Sequence, residues 1–155
     1  MSDASQGFSV EIDASVADCV AVLVDFPRYP EWSSPIESCR VLEQEAEGRG
    51  RIVEFLLDMK IKTVRYVLDY AYELPGGNKT ARATWHLVEG DVSAVDGAYE
   101  FEPLEGGRTR ATCRQTVDLG FWVPGPLRRV FERQALRDSV TEFMAAAEQR
   151  RRPRK

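Results

Sequence analysis

The longest helical pattern of the chain lies near its C-terminus and sets the scale of the fold. Residues 127–150 contain neither Gly nor Pro, and Pro126 suits a first helical position, where the missing N–H costs nothing. Apolar residues recur there mostly at steps of three and four, which is typical of an amphipathic helix. Such a helix is about 36 Å long at about 1.5 Å per residue, so it needs a large apolar partner surface.

The sequence upstream of this helix predicts strands that are long enough to cover it. Phe8, Val10 and Ile12 alternate with polar residues in a first strand, and Ser15 caps a short helix over Val16–Val24. Turn residues such as Gly48, Gly76 and Gly106 then punctuate a series of hairpins. Six consecutive antiparallel strands are predicted at residues 36–44, 51–59, 60–74, 79–88, 92–103 and 108–119.

Alternation within these strands predicts one apolar and one wet face. The apolar face is rich in Tyr and Trp, whose polar tips need partners, whereas a sheet sealed against a helix would more often use Leu, Ile and Val. We therefore expect a cavity with an aromatic, partly polar lining between the sheet and the long helix.

A turn rich in proline and aromatic residues follows the first short helix. Residues 25–32 read D-F-P-R-Y-P-E-W, which resembles the D-x-x-x-Y-P-x-W turn of the START/Bet v 1-like (SRPBCC) superfamily, in its polyketide cyclase/dehydrase and coenzyme-Q-binding branch. The stretches W-H-L-V-E-G at 85–90, D-G-A-Y-E-F at 96–101 and G-G-R-T-R at 106–110 continue the resemblance. It covers essentially residues 7–150.

The element order and the resemblance predict an α+β helix-grip fold. A curved seven-stranded antiparallel sheet wraps around the long C-terminal helix, and two short helices follow strand 1. We expect one START/Bet v 1-like ligand-binding domain at 7–150 and a basic tail at 151–155. The resemblance implies a deep pocket for a hydrophobic small molecule such as a polyketide, a lipid, a sterol or an isoprenoid quinone.

The predicted ligand-binding residues are inward-facing strand residues together with apolar residues of the loops and helix near the pocket mouth. They are Trp32, Val53, Phe55, Leu57, Tyr66, Leu68, Tyr70, Trp85, Tyr99, Phe101, Phe121, Trp122, Leu127 and Phe131.

The alternative to a pure carrier is a polyketide aromatase/cyclase or dehydrase that acts on a poly-ketone chain in the same pocket. Such chemistry needs groups that polarise carbonyls or move protons. Tyr66 and Tyr70 are candidates because they face inward, and Arg51 is a candidate because it shares the parity of Val53. His86 has outward parity and is interpreted as a surface residue. No other motif for nucleophilic, metal-dependent or nucleotide-dependent catalysis occurs in the sequence.

Composition excludes several other classes of partner and cofactor. Cys19, Cys39 and Cys113 are widely spaced without a CxxC pair, so they are predicted to be buried reduced thiols, with no metal site and no cofactor. The net charge of −4 argues against nucleic-acid binding despite the basic tail. No apolar run approaches the roughly 20 residues of a membrane span, so we expect a cytoplasmic protein without stable membrane insertion.

The loop at Phe121–Trp122 offers a third function class. Apolar residues in a loop bounded by proline either cap the core or form a gate that touches a protein or a membrane transiently. A protein-interaction module that uses this loop and the basic tail is therefore a third possible function, besides the carrier and the enzyme.

Overall fold

A computed structural model describes residues 6–60 and 62–151 of the chain. The seven strands are β1 (Gln6–Ile12), β2 (Ile36–Gln44), β3 (Gly50–Asp58), β4 (Thr63–Glu73), β5 (Ala81–Gly90), β6 (Ala94–Pro103) and β7 (Thr109–Asp118). They form one antiparallel sheet in the order β1-β7-β6-β5-β4-β3-β2. The predicted number, order and direction of the strands are confirmed.

Two short helices fill the connection from β1 to β2, as predicted. They are α1 (Val16–Val24) and α2 (Tyr29–Trp32), separated by a 3₁₀ turn at Phe26–Arg28. The backbone N–H of Asp18 donates to Ser15 Oγ at 3.1 Å, which satisfies one of the free amides of the first turn of α1. The predicted cap is therefore confirmed.

The C-terminal helical region is longer than predicted and is interrupted by a π-helical turn. It consists of α3 (Gly125–Arg129), the π turn at Val130–Gln134, and α4 (Ala135–Arg151). In a π turn each backbone N–H bonds to the carbonyl five residues earlier in the chain. Phe131 and Leu136, which are five residues apart, therefore lie on the same side of the helix. The spacing of the apolar residues changes from three or four residues to five at this point, because the π turn accommodates one extra residue. The basic tail predicted for 151–155 lies outside the described residues, apart from Arg151 at the end of α4.

The second half of this region packs as the predicted amphipathic pattern requires. Leu136, Val140, Phe143 and Ala147 recur at steps of four and three and are buried. Glu142 accepts hydrogen bonds from the backbone N–H and the hydroxyl of Ser34, the latter at 2.7 Å. These contacts anchor α4 to the connection that follows α2.

The turn between β3 and β4 has no glycine and was not marked in the sequence by a strong turn residue. Lys60 adopts the left-handed conformation there, with φ 72°. Its N–H donates to Asp58 Oδ1 at 2.9 Å, and Met59 N–H donates to Lys62 O at 3.0 Å. The Asp58 carboxylate accepts a hydrogen bond from the backbone and thus stabilises a left-handed turn conformation that glycine usually adopts.

The outer face of the sheet carries ion pairs, and the carboxylate of one of them is less exposed than strand alternation predicts. The alternation of β3 places Glu54 on the wet face, but its side chain is only 11% exposed, between Arg65 (Nε–Oε2, 2.6 Å) and Arg40 (Nη2–Oε1, 3.0 Å). The hydrogen bond from Arg65 lowers the pKa of Glu54 against the opposing effect of burial.

Candidate functional site

A cavity of about 450 Å³, the inner chamber, lies between the concave face of the sheet and α4. Its size falls within the roughly 300–1,000 Å³ that is usual for sites that hold small molecules. Nine aromatic residues line it: Tyr29, Trp32, Phe55, Tyr66, Tyr70, Trp85, Tyr99, Phe131 and Phe143. The predicted cavity and the aromatic character of its lining are therefore present.

The proline-rich and aromatic turn forms one wall of the inner chamber. Phe26 is completely buried and stacks on Tyr29, with the ring centroids 5.2 Å apart. The Tyr29 hydroxyl donates to the carbonyl of Leu23 at the end of α1. Trp32 lies 4.8 Å from Tyr29 and meets Phe143 of α4 edge-on at 5.7 Å, measured between ring centroids. This turn therefore joins α1, the cavity and the long helix.

A second cavity of about 290 Å³, the outer chamber, adjoins the inner one. Several residues line both chambers, so the two are continuous: Pro35, Leu57, Tyr66, Gln115, Val117, Phe131, Ala135 and Ser139. The outer chamber also touches Asp58, Lys60, Asp138 and Glu142. Because the first three are exposed, this end of the cavity forms a charged rim that opens to solvent.

A hydrogen bond between two side chains orders the sheet wall of the inner chamber. Trp85 Nε1 on β5 donates to Gln115 Oε1 on β7 at 3.1 Å. The indole reaches β7 across Gly97 of β6, where an added Cβ would lie within 2.5 Å of Nε1. Only glycine leaves room for the ring at this position of β6.

Three tyrosines of the cavity wall have hydroxyls without a conventional hydrogen bond to any described residue. Burial raises the pKa of Tyr66, Tyr70 and Tyr99. The Tyr99 hydroxyl is fully buried without a partner that satisfies hydrogen-bond geometry, and the neighbouring Cys113 thiol also raises its pKa. The hydroxyls of Tyr66 and Tyr70 border the inner chamber, where they can donate to a bound molecule.

Among the described residues, none with a charged side chain and no histidine lines the inner chamber. The polar side-chain groups of these lining residues are neutral hydroxyls, a thiol, two indole N–H groups and one amide. Tyrosines whose pKa is raised can donate hydrogen bonds or serve as weak acids. The described carboxylates of the cavity, Asp58, Asp138 and Glu142, line the outer chamber, which Tyr66 also borders, and not the inner one. The described lining of the inner chamber is therefore uncharged and largely aromatic.

The structure brings most of the predicted ligand-binding residues to the inner chamber. Those that line it are Trp32, Phe55, Leu57, Tyr66, Leu68, Tyr70, Trp85, Tyr99 and Phe131. Their role in binding stays a prediction.

Five predicted ligand-binding residues do not line either chamber. Val53 and Phe101 are completely buried in the core, because alternation identifies a face of a strand but not the part of that face that borders a cavity. Phe121 lies under Lys62, with Nζ 4.5 Å from the ring centroid, and Leu127 is half-buried in α3. Trp122 is 80% exposed. Trp32 turns inward and meets Phe143, with the ring centroids 5.7 Å apart.

The inward orientation predicted for Arg51 is wrong. Its side chain is 52% exposed and lies 3.6 Å from Asp69 and 3.7 Å from Glu43. The pairing of β2 with β3 shifts register on both sides of Glu43 and Ile52, so the parity of Val53 does not extend to Arg51. His86 is exposed and lies 3.9 Å from Asp69, which confirms its predicted place on the outer face.

Sequence reasoning missed several cavity residues that other signals could have identified. Tyr29 belongs to the aromatic turn. Gln115 shares its strand parity with the apolar residues Cys113 and Val117, and a polar residue on such a face is informative. Phe143 belongs to the apolar pattern of the long helix and is completely buried, and it also lines the inner chamber. Ser33 and Ser139 carry no pattern in the sequence that marks them as cavity residues.

The cysteines are buried and unpaired, as predicted. Burial raises the pKa of Cys19 and of Cys113 to about 12 and also raises that of Cys39. Within 6–60 and 62–151, no group of three or more His, Cys, Asp or Glu residues is arranged to hold a metal ion. None of the helices in these ranges is long and apolar enough to span a membrane.

Solved structures with the same fold include enzymes and lipid-transfer proteins. A START superfamily protein from Mycobacterium smegmatis superposes with a TM-score of 0.79 at 20% identity, covering 94% of this chain and 97% of the other. The Zhui aromatase/cyclase from Streptomyces sp. R1128 superposes with a TM-score of 0.77 at 18% identity, covering 96% and 95%. A STAR-related lipid transfer protein from Xanthomonas axonopodis gives 0.76 at 13% identity, covering 94% and 86%. At these identities the likeness shows the helix-grip START fold.

A family model describes most of the chain. No match was found among curated proteins. The model of the family described as "Polyketide cyclase / dehydrase and lipid transport" matches residues 12–144, from the end of β1 to the middle of α4. The matched range includes every residue that lines the two chambers. The chain therefore belongs to the polyketide cyclase/dehydrase and lipid transport family, within the START/Bet v 1-like (SRPBCC) superfamily.

Proposed function

We propose that this protein binds an uncharged hydrophobic small molecule, such as a polyketide, a lipid or an isoprenoid-like compound, between its sheet and its C-terminal helix. One observation carries this proposal: the inner chamber of about 450 Å³ is lined by aromatic and neutral polar groups, with no charged side chain among the described residues. A charged ligand group would lose its hydration there without a counter-charge, at a cost of several kcal/mol.

Catalysis on a poly-ketone chain is the second candidate. Its support is the pair of hydroxyls on Tyr66 and Tyr70, which border the chamber without a hydrogen bond to any described residue and can polarise a ketone. With Arg51 outside the cavity and no carboxylate or imidazole in the described lining of the inner chamber, the carrier function has the stronger support. If Tyr66→Phe and Tyr70→Phe leave the product distribution from a poly-ketone substrate unchanged, these residues lose their proposed catalytic role.

The test of ligand binding uses native mass spectrometry of protein purified from its own host. A retained apolar molecule of defined mass is expected. Ser139, which lines both chambers, provides a blocking variant, because Ser139→Phe adds a ring at their junction. We expect it to weaken binding of an environment-sensitive fluorescent hydrophobe by roughly tenfold or more, equivalent to about 1.4 kcal/mol.

Thr141→Phe is the matched control for the blocking variant. Thr141 lies on the same helix, is exposed and lines neither chamber, so its replacement should leave binding unchanged. If the wild-type protein retains no ligand and binds no hydrophobe, or if both variants bind like the wild type, ligand binding in this cavity is refuted.

Delivery of the ligand is proposed to occur by transient contact of the Phe121–Trp122 loop with a membrane. Trp122 is 80% exposed and Val130, which lines the outer chamber, is 47% exposed. Lys62 Nζ lies 4.5 Å from the Phe121 ring centroid, and Arg129 is exposed next to Val130. The carboxylates of Asp58 and Asp138 lie with Lys60 at the rim of the outer chamber. Exposed apolar side chains among basic ones fit a surface of anionic lipids, to which each basic residue contributes about 1 kcal/mol.

A further inference from the structure

The junction between the two chambers is polar on three sides. Tyr66 of β4, Gln115 of β7 and Ser139 of α4 each line both the inner and the outer chamber, and we call these three residues the polar collar. The other residues that line both chambers are apolar: Pro35, Leu57, Val117, Phe131 and Ala135. A molecule long enough to occupy both chambers must pass this collar.

The orientation of the Gln115 amide follows from its neighbour. An indole N–H can only donate, so the atom of Gln115 that lies 3.1 Å from Trp85 Nε1 must be the carbonyl oxygen. The amide nitrogen is then turned away from Trp85. It makes no hydrogen bond to any described residue and is not sealed in the protein interior, so it faces the cavity as a donor.

The rest of the collar consists of hydroxyl groups that can also donate. Neither the Tyr66 nor the Ser139 hydroxyl has a hydrogen-bond partner among the described residues. Leaving such donors unpaired in a dry cavity costs about 1–3 kcal/mol each, so an occupant with an acceptor is favoured over a pure hydrocarbon. The Gln115 nitrogen is the donor whose direction the fold sets, because Trp85 and Gly97 fix the other end of its amide.

The nature of the acceptor follows from charge. The inner chamber has no cationic side chain among the described residues to pair with a carboxylate or phosphate. The described lining of the outer chamber has one cation, Lys60, which lies at the rim beside Asp58 and Asp138. A neutral oxygen is therefore the acceptor that the collar suits, while the aromatic walls suit a ring system.

We infer that Gln115 is a specificity-determining residue that donates from Nε2 to a neutral carbonyl oxygen of the ligand. The ligand class is an uncharged, ring-containing ketone or quinone-like hydrophobe. Its rings lie in the inner chamber and its carbonyl lies at the polar collar. This inference rests on the proposed ligand-binding function and adds to it the chemical group that is recognised and the residue that recognises it.

The test compares two fluorescent probes that differ only at the carbonyl. One is an acyl-dimethylaminonaphthalene ketone, and the other is the corresponding alkyl-dimethylaminonaphthalene, in which CH₂ replaces the carbonyl. Emission of the ketone shifts to longer wavelength when its oxygen accepts a hydrogen bond. Both probes are titrated into the full-length wild-type protein and its variants, and the dissociation constants and emission maxima are recorded.

Gln115→Met keeps the length of the side chain and removes the donor. We expect it to weaken ketone binding roughly fivefold to tenfold, in line with one net hydrogen bond, and to leave alkyl binding within about twofold. The bound ketone should also emit at shorter wavelength than in the wild type. Gln115→Leu also removes the donor without adding a charge, so it should weaken the ketone as well and guards against a packing defect specific to Met.

Gln134→Met is the matched control, because this exposed glutamine lies in the π turn of the C-terminal helical region, bonds to Asp138 and lines neither chamber. It should bind both probes as the wild type does. If Gln115→Met weakens both probes equally, or neither, the inference is overturned while ligand binding stands. If the wild type binds neither probe, the proposed function fails and the inference fails with it.

Discussion

Trp85 and Gln115 join β5 to β7 through one hydrogen bond that passes over the intervening strand. The indole Nε1 lies 3.1 Å from the glutamine Oε1, and Gly97 of β6 lies beneath the ring. This hydrogen bond supports the concave face of the sheet at the inner chamber. A cavity wall has no side chains packed against it from the cavity side, so it needs support from within the sheet. Both groups are neutral, so the bond adds no charge to the chamber.

Gly97→Ala should disrupt this hydrogen bond. A methyl group at Gly97 would stand within 2.5 Å of the indole Nε1, so Trp85 must move and its bond to Gln115 must lengthen. Crowding of this kind costs about 1–3 kcal/mol of unfolding free energy, measured by urea denaturation. Gly125→Ala is the control, because nothing lies within 4 Å of the added methyl there. A Gly97→Ala protein as stable as the control would show that the indole is not confined.

Phe143→Ala should be among the most destabilising single changes in α4. The ring is completely buried and lies 4.9 Å from Tyr99, 5.6 Å from Phe101 and 5.7 Å from Trp32, measured between centroids. Loss of a buried phenyl ring costs about 3–5 kcal/mol, and this one also links the sheet, the helix and the aromatic turn. Thr141→Ala, an exposed change on the same helix, should cost less than about 1 kcal/mol. Equal denaturation midpoints for the two variants would contradict the role of Phe143 as the anchor of α4.

Glu54→Gln should reveal a pH-dependent part of the stability on the outer face. The hydrogen bond from Arg65, aided by Arg40, lowers the pKa of Glu54 in the folded state. A lowered carboxyl pKa contributes stability above the unfolded value of about 4.3, and this stability is lost as the pH falls through the folded pKa. The variant should be less stable than the wild type by about 1 kcal/mol at pH 7, and the gap should close in acid.

Glu73→Gln serves as the control for this pH dependence. Glu73 is exposed at the end of β4, where water solvates its carboxylate. Its replacement should leave the stability difference from the wild type small at every pH. A gap for Glu54→Gln that stays constant from neutral to acid pH would mean that packing, and not the carboxylate charge, sets the effect.

The sequence allowed the architecture to be predicted because each element carried a local signal. Ser15 marked the start of α1, alternation placed Tyr66 and Trp85 inward, and the three- and four-residue spacing predicted the long helix. The site was predicted less completely because a cavity depends on which inward residues lack a neighbour opposite them. Val53 and Phe101 share the inward face but are covered, and Arg51 lies outside because a shift in strand register reverses parity. These features depend on the three-dimensional pairing, which local spacing does not encode.

Trp122→Ser should separate delivery of the ligand from its binding. Because Trp122 is 80% exposed and lines neither chamber, the variant should keep its unfolding free energy within about 0.5 kcal/mol and its affinity for a hydrophobic probe in solution. Its association with vesicles that contain anionic phosphatidylserine should weaken, and it should take up the probe from them more slowly, since an exposed indole is suited to the membrane interface. Co-sedimentation and the rate of fluorescence transfer measure the two effects. Leu42→Ser, which removes another exposed apolar side chain at 43% exposure on β2, is the control and should behave as the wild type. Equal uptake rates for the two variants would remove the Phe121–Trp122 loop from the delivery step and leave the cavity as the whole of the function.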